Sequence, residues 1–326
     1  MSTTTQPLPD SVSAVLGPRY RSVAVPVDGG DLHVGVWEPE DAVAPGAEVP
    51  TAVLVHGITS SHVAWARLAQ ALPGVRVVAP DLRGRGRSRD LPAPYGMALH
   101  ADDVAAALDH LGVRQAVAVG HSMGAFVALV LADRHPRLVR SLHLVDGGMP
   151  LLPPPGVAPQ DVAAAVLGPA ADRLRATFPS RAAYREFWGE HPALGPYQDE
   201  VVTAYVDYDL VGEEPELRPA TRPAALQEDI RELVDGAAVQ AALEEVPSRP
   251  ATWYVAPRGL LDEVPPLYPD AARDRWTRQL PTLRMVEVDD VNHYTVVLGA
   301  HGVRQLLPHL GADLGVTPSG DAPGSG

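Results

Sequence analysis

Short apolar runs alternate with stretches of helical spacing through the first half of this chain. Ala52-Val53-Leu54-Val55, Val75 to Ala79, Gln115 to Val119 and Val139 to Val145 are rich in Val, Leu and Ala. That pattern fits short strands buried on both faces. Between them, Ser61 to Leu72, Leu99 to Leu111 and Met123 to Arg134 repeat apolar residues at helical spacing. Such alternation predicts a parallel sheet covered by helices on both sides. Ahead of it, Arg21 to Val27 and Leu32 to Trp37 flank Asp28-Gly29-Gly30, a hairpin signal. The pattern breaks at Gly147, and the proline-rich residues 150–156 exclude regular structure. Helical spacing without convincing strands then continues until Ala251 to Val255. Leu283 to Val288 reads as a last strand and Val303 to Leu310 as a last helix. The expected fold is α/β: a doubly wound, mostly parallel eight-stranded sheet with an inserted helical cap. The expected units are a lead-in at 1–20, a core at 21–148 and 247–312, a cap at 149–246 and a disordered tail at 313–326.

Chemistry enters at Gly120-His121-Ser122-Met123-Gly124. A strand precedes it and a helix follows it. A serine flanked at two residues on each side by glycine can occupy a sharp strand-to-helix turn, with its hydroxyl held above the sheet. An alcohol is a weak nucleophile at neutral pH, so such a serine needs a histidine to take its proton.

Composition narrows the alternatives. The net charge of −14 and pI near 5.2 argue against nucleic acid as a partner. Cysteine is absent, which excludes disulfides, thiolate metal sites and cysteine nucleophiles. All 26 basic residues other than histidine are arginine, so lysine Schiff-base and P-loop chemistry are excluded. The 12 histidines show no H-x-x-x-H spacing. No cofactor or metal is expected. No apolar run approaches the roughly 18 residues of a membrane span, and no secretory leader is evident. A cytoplasmic protein is expected, with its oligomeric state left open.

With these motifs in view, the chain resembles the α/β-hydrolase superfamily, in the form with a helical cap. The likeness runs from about residue 20 to 312. It rests on His56-Gly57, on Asp81-Leu82-Arg83-Gly84-Arg85-Gly86-Arg87-Ser88, on the turn at Ser122 and on Asn292-His293-Tyr294. The resemblance implies Ser122 as nucleophile, His293 as base, and the backbone N–H groups of Ile58 and Met123 as oxyanion donors. It offers two acids: Asp262, beyond the first strand after the cap, and Asp146, at the end of the strand before it. Asp262 is the preferred one. The expected reaction is cleavage of an apolar carboxylic ester or lactone through an acyl-enzyme (EC 3.1.1). Thioester, amide, carbon–carbon and perhydrolase chemistry are alternatives, and a non-catalytic binding protein is another. Substrate contacts are expected from His56, Gly57, His121, Tyr184, Trp188 and Tyr294. Seven of the 17 aromatic residues fall between Phe178 and Tyr208, either as a pocket roof or as the cap's own core.

Overall fold

The computed structural model describes residues 7–41, 48–152 and 172–318. Residues 1–6 of the expected lead-in, 42–47, 153–171 of the expected cap and 319–326 of the expected tail lie outside the described residues.

The sheet has eight strands: β1 (Tyr20–Val27), β2 (Gly30–Trp37), β3 (Thr51–Val55), β4 (Arg76–Pro80), β5 (Ala116–His121), β6 (Val139–Val145), β9 (Ala251–Val255) and β10 (Arg284–Glu287). A separate pair, β7 (Leu210–Val211) and β8 (Arg218–Pro219), falls between β6 and β9 along the chain. The order is β1-β2-β4-β3-β5-β6-β9-β10, and β2 is antiparallel to both of its neighbours. The remaining pairings are parallel. This is the expected mostly parallel sheet with an antiparallel edge.

Side chains alternate across the pleat, and so divide the core. Val53 and Val55 of β3 join one apolar cluster with Ala116 and Ala118 of β5. Ala52 and Leu54 join the other, with Val117 and Val119. β3, β5 and β9 are buried throughout, because helices cover both faces. The edge strands β1 and β10 carry exposed Arg21 and Arg284, which blunts further strand pairing.

The helices are α1 (Asp10–Leu16), α2 (Ala66–Gln70), α3 (Met97–His110), α4 (Met123–Arg134), α5 (Arg181–Gly189), α6 (Glu200–Tyr208), α7 (Pro223–Asp235), α8 (Ala237–Glu245), α9 (Asp270–Gln279), α10 (Thr295–Leu298) and α11 (Ala300–Leu314). No helix among the described residues is long and apolar enough to cross a membrane. α3, α4 and α8 pack together on one face, whereas α1, α2, α10 and α11 contribute to the other.

Four expectations need correction. The lead-in contains α1, whose Val12, Val15 and Leu16 form a buried stripe at helical spacing. Ser61 to Leu72 is a 3-10 turn over His62–Trp65 followed by the short α2. Residues 313 and 314, expected in the tail, are helical: α11 runs to Leu314 and Gly315 ends it in the left-handed region (φ 69°). The expected cap contains the β7–β8 pair, and its last helix, α8, lies against core helix α4.

α1 is tied in by more than its apolar stripe. The Trp37 indole N–H donates to the Leu16 carbonyl at 2.8 Å, and Ser11 donates to Asp207 on α6. Leu16→Ala should therefore cost about 3 kcal/mol, the usual range for a buried leucine. The shift in urea midpoint measures this; an unchanged midpoint would contradict the docking of α1.

Candidate active site

β5 delivers Ser122 into a turn that only its glycine neighbours permit. Ser122 has φ 55° and ψ −124°, an unfavourable region for an L-residue. A Cβ on Gly120 would lie 2.2 Å from the Gly124 carbonyl oxygen. One on Gly124 would lie 2.0 Å from the Val55 oxygen, and one on Gly147 would lie 2.1 Å from the Ser122 oxygen. Three backbone segments are thus pressed together around the serine. The Ser122 N–H donates to the Val145 carbonyl at 3.0 Å, which anchors the turn on β6. Met123 begins α4, where the first amides have no partner within the helix.

β6 ends at Val145, and Asp146 follows at once with φ 43°. Its carboxylate is fully buried. Oδ1 accepts from the Ala256 N–H at 3.1 Å, and Oδ2 lies 2.6 Å from His293 Nδ1. That pairing fixes the ring: Nδ1–H donates to Asp146 and leaves Nε2 as the free acceptor. Asp262, the preferred acid from sequence, is elsewhere. Its Oδ1 accepts from Arg258 Nε at 2.7 Å and from Asn292 Nδ2 at 2.9 Å. The structure brings His293 to Asp146 and gives Asp262 the work of bracing the loop beneath Asn292. The sequence held two hints: Asp262 lies seven residues past the end of β9, and Arg258 stands one helical turn before it.

Ser122 and His293 line the same cleft, which has two lobes of about 450 and 430 Å³ including space open to solvent. Ile58, Leu260, Ser122 and His293 border both. One lobe is completed by Ser60, His121, Tyr205, Tyr294 and Val297. The other is apolar, with Phe126, Leu151, Ile230, Leu233, Val234 and Leu267. The described walls contain no Arg, Asp or Glu.

The expected contact residues divide. Gly57, His121 and Tyr294 border the cleft; His56, Tyr184 and Trp188 do not. His56 is buried below it, donating from Nδ1 to the Gly57 carbonyl at 2.7 Å and accepting from the Leu82 N–H at Nε2 at 2.9 Å. Tyr184 and Trp188 are buried on α5, in the apolar cluster that also holds Ala52 and Leu54 of β3. The Tyr184 hydroxyl meets Arg173 and Asp209, and the Arg173 guanidinium stacks 5.0 Å from the centre of Trp188. Trp188 instead backs Tyr294 edge to face at 6.2 Å. Of the seven clustered aromatics, Tyr205 alone borders the cleft. The residues missed from sequence are mainly Ile230, Leu233 and Val234, whose i, i+3, i+4 spacing on α7 was the available signal.

His121 ties the serine turn to the histidine loop: its Nε2–H donates to the His293 carbonyl at 2.8 Å. Burial and the neighbouring His293 hold its pKa well below the usual value, so it is neutral. Burial also lowers His56 to about 4 and His33 to about 3.

One group among the described residues has the spacing of a cation site: His33, His62 and Asp81. Asp81 already accepts from the His62 N–H (2.9 Å), His62 Nδ1–H (2.9 Å), the Arg87 N–H (2.9 Å) and the Tyr208 hydroxyl (2.7 Å). Four donors fill its oxygens, and the cluster is a hydrogen-bonded brace between β4 and α6.

Residues 50–201 match a family described as the alpha/beta hydrolase fold. Lipase LipV of Mycobacterium tuberculosis is 39% identical over 122 residues, 37% of this chain and 43% of that protein. The 2-hydroxymuconate semialdehyde hydrolase of a Pseudomonas species is 39% identical over 105 residues, 31% of this chain and 37% of that one. The match thus spans less than half the length of either curated relative. Among solved structures, an E-2-(acetamidomethylene)succinate hydrolase superposes with a TM-score of 0.69 at 23% identity, covering 89% of this chain and 98% of that one. This likeness is one of fold.

The lowered histidines set a pH dependence. Their unfolded pKa lies near 6.5 and their folded values lie below it, so the unfolded chain binds more protons in between. Stability should fall as pH drops from about 6.5 towards 4. Urea midpoints at pH 7.5, 6 and 5 should decrease in that order, less steeply in His56→Gln; a flat profile would contradict the buried neutral imidazoles.

Proposed function

We propose that this chain belongs to the α/β-hydrolase superfamily, whose family model it matches and whose fold it shares, and that it cleaves uncharged carboxylic esters or lactones through an acyl-enzyme on Ser122. The observation that carries the reading is the meeting of Ser122 with His293 in one cleft, with Nδ1 of that histidine seated on buried Asp146 at 2.6 Å. His293 Nε2 takes the proton as Ser122 Oγ attacks the carbonyl, then returns it to the leaving alcohol. Asp146 fixes the tautomer and stabilises the imidazolium. Ile58 and Met123 supply N–H donors where the oxyanion forms. Water completes the cycle by the same route in reverse.

Charge favours a neutral ester. Muconate and succinate derivatives, named as substrates of two of the similar proteins, carry carboxylates, which a site normally meets with arginine. The described walls of this cleft have none. The undescribed segments 1–6, 42–47, 153–171 and 319–326 contain no Arg, Lys or His side chain. The apolar lobe under α7 suits an acyl chain. The lobe beside the His293 loop suits the leaving alcohol, which must be protonated there.

With p-nitrophenyl butyrate, Ser122→Ala and Asp146→Asn should each lower kcat at least about 1000-fold, by comparison with other triads. Asp262→Asn should stay within about fivefold. Loss in Asp262→Asn with Asp146→Asn active would overturn the assignment. The p-nitrophenyl monoester of succinate should show a kcat/KM at least about tenfold below that of the butyrate, since its carboxylate would be desolvated without a partner. Equal values would contradict the neutral-substrate reading.

A further inference from the structure

A buried ion pair outside the Ser122–His293–Asp146 trio reaches both residues that carry the oxyanion donors. Arg85, in the loop after β4, is fully buried. Its Nε donates to the Ile58 carbonyl at 2.9 Å, and its Nη1 donates to the Arg83 carbonyl at 2.9 Å. The same Nη1 lies 2.6 Å from Asp229 Oδ2, and Nη2 lies 3.8 Å from Met123 Sδ. A single guanidinium therefore touches Ile58 and Met123 at once. Its partner Asp229 belongs to α7, the helix that walls the apolar lobe.

Asp229 is itself fully held. Its Oδ1 accepts from the Gly96 N–H at 2.6 Å, and His100 Nε2 reaches both carboxylate oxygens at 3.0–3.1 Å. Burial alone would raise its pKa; His100 and Arg85 outweigh that and keep the carboxyl below its usual range. An unpaired charge at this depth would be costly, so the pair forms or breaks as a unit. Arginine suits the place because its planar fork can bond a carbonyl and a carboxylate in different directions.

We propose that Arg85, clamped by Asp229, is a positioning residue for the oxyanion donors, so that docking of α7 over the acyl lobe sets the geometry in which Ser122 reacts. The proposal rests on the serine-hydrolase reading above. Fixing the Ile58 carbonyl fixes the rotation of the strand-end loop that presents the Ile58 N–H. Contact with Met123 limits movement of the other donor's residue. Ile230, Leu233 and Val234 meet substrate on the same helix that holds Arg85 in place, which links substrate contact to donor alignment. A donor displaced by a fraction of an ångström stabilises the developing oxyanion less while leaving ground-state binding intact.

The test uses the full chain, p-nitrophenyl butyrate and two variants, Asp229→Asn and Arg85→Lys. Reactive serines are counted by the burst of p-nitrophenol from diethyl p-nitrophenyl phosphate, so misfolded protein drops out. Per counted site, kcat should fall about tenfold or more in Asp229→Asn with KM within about twofold. Arg85→Lys keeps the charge but offers one nitrogen in place of the two that bond Ile58 and Asp229, and should fall in the same direction. Inhibition by an alkyl trifluoromethyl ketone, which becomes an oxyanion when Ser122 adds to it, should weaken in parallel with kcat. Inhibition by the matching alcohol should not change. Unchanged kcat per site and unchanged ketone inhibition, with loss confined to the number of sites, would overturn the proposal. If Asp229→Asn does not fold, Arg85→Lys decides by the same readouts. Full activity in Ser122→Ala would be a separate failure, that of the hydrolase reading itself.

Discussion

Everything at the site depends on the crowding of backbone around Ser122. β3, β5 and the segment after β6 approach so closely that a methyl group at Gly120, Gly124 or Gly147 would sit about 2 Å from a carbonyl oxygen. The left-handed serine is the consequence. Holding an L-residue there costs on the order of 1–3 kcal/mol, sustained only because the surrounding sheet over-determines the turn. What the strain supplies is position. The hydroxyl stands above the ends of the parallel strands, where Asp146, the Ile58 loop and the loop after β10 also emerge.

Around that point the polar groups work as braces. His121 bonds the carbonyl of His293, His56 bonds Gly57 and Leu82, and Asn292 joins Asp262 to the start of α10. Each ties one loop to another. Buried histidines kept neutral are well suited to this, since each ring offers one donor and one acceptor without the desolvation of a charge. Charge is confined to places where it is matched, such as Asp81 among its donors and Asp229 against Arg85 and His100. The cleft wall itself is left apolar, apart from hydroxyls and imidazoles.

The sheet was legible because its strands are apolar runs separated by helical spacing, and both periods survive in the sequence. Ser122 was legible because its geometric demand falls on glycines two residues to each side. The acid was harder. A carboxylate at a strand end and one in a loop carry the same letter, and what separates them is where the loop's arginine turns. Arg258 takes Asp262, and only the fold shows that. The aromatic cluster misled for a related reason: Tyr184 and Trp188 serve the partly buried Arg173–Asp209 pair, a partnership between residues far apart in sequence. α1 escaped notice because a seven-residue helix barely completes two turns, and its stripe acquires meaning only against Trp37 and α6.

The central claim is that the imidazole at 293 makes the hydroxyl at 122 reactive. Intact-mass measurement after treatment with a fluorophosphonate reads this without a chosen substrate. The account predicts one adduct per chain, mapped by peptide sequencing to Ser122 and absent in His293→Ala. A protein that stays unmodified while folded, or that labels equally well without the imidazole, would contradict it.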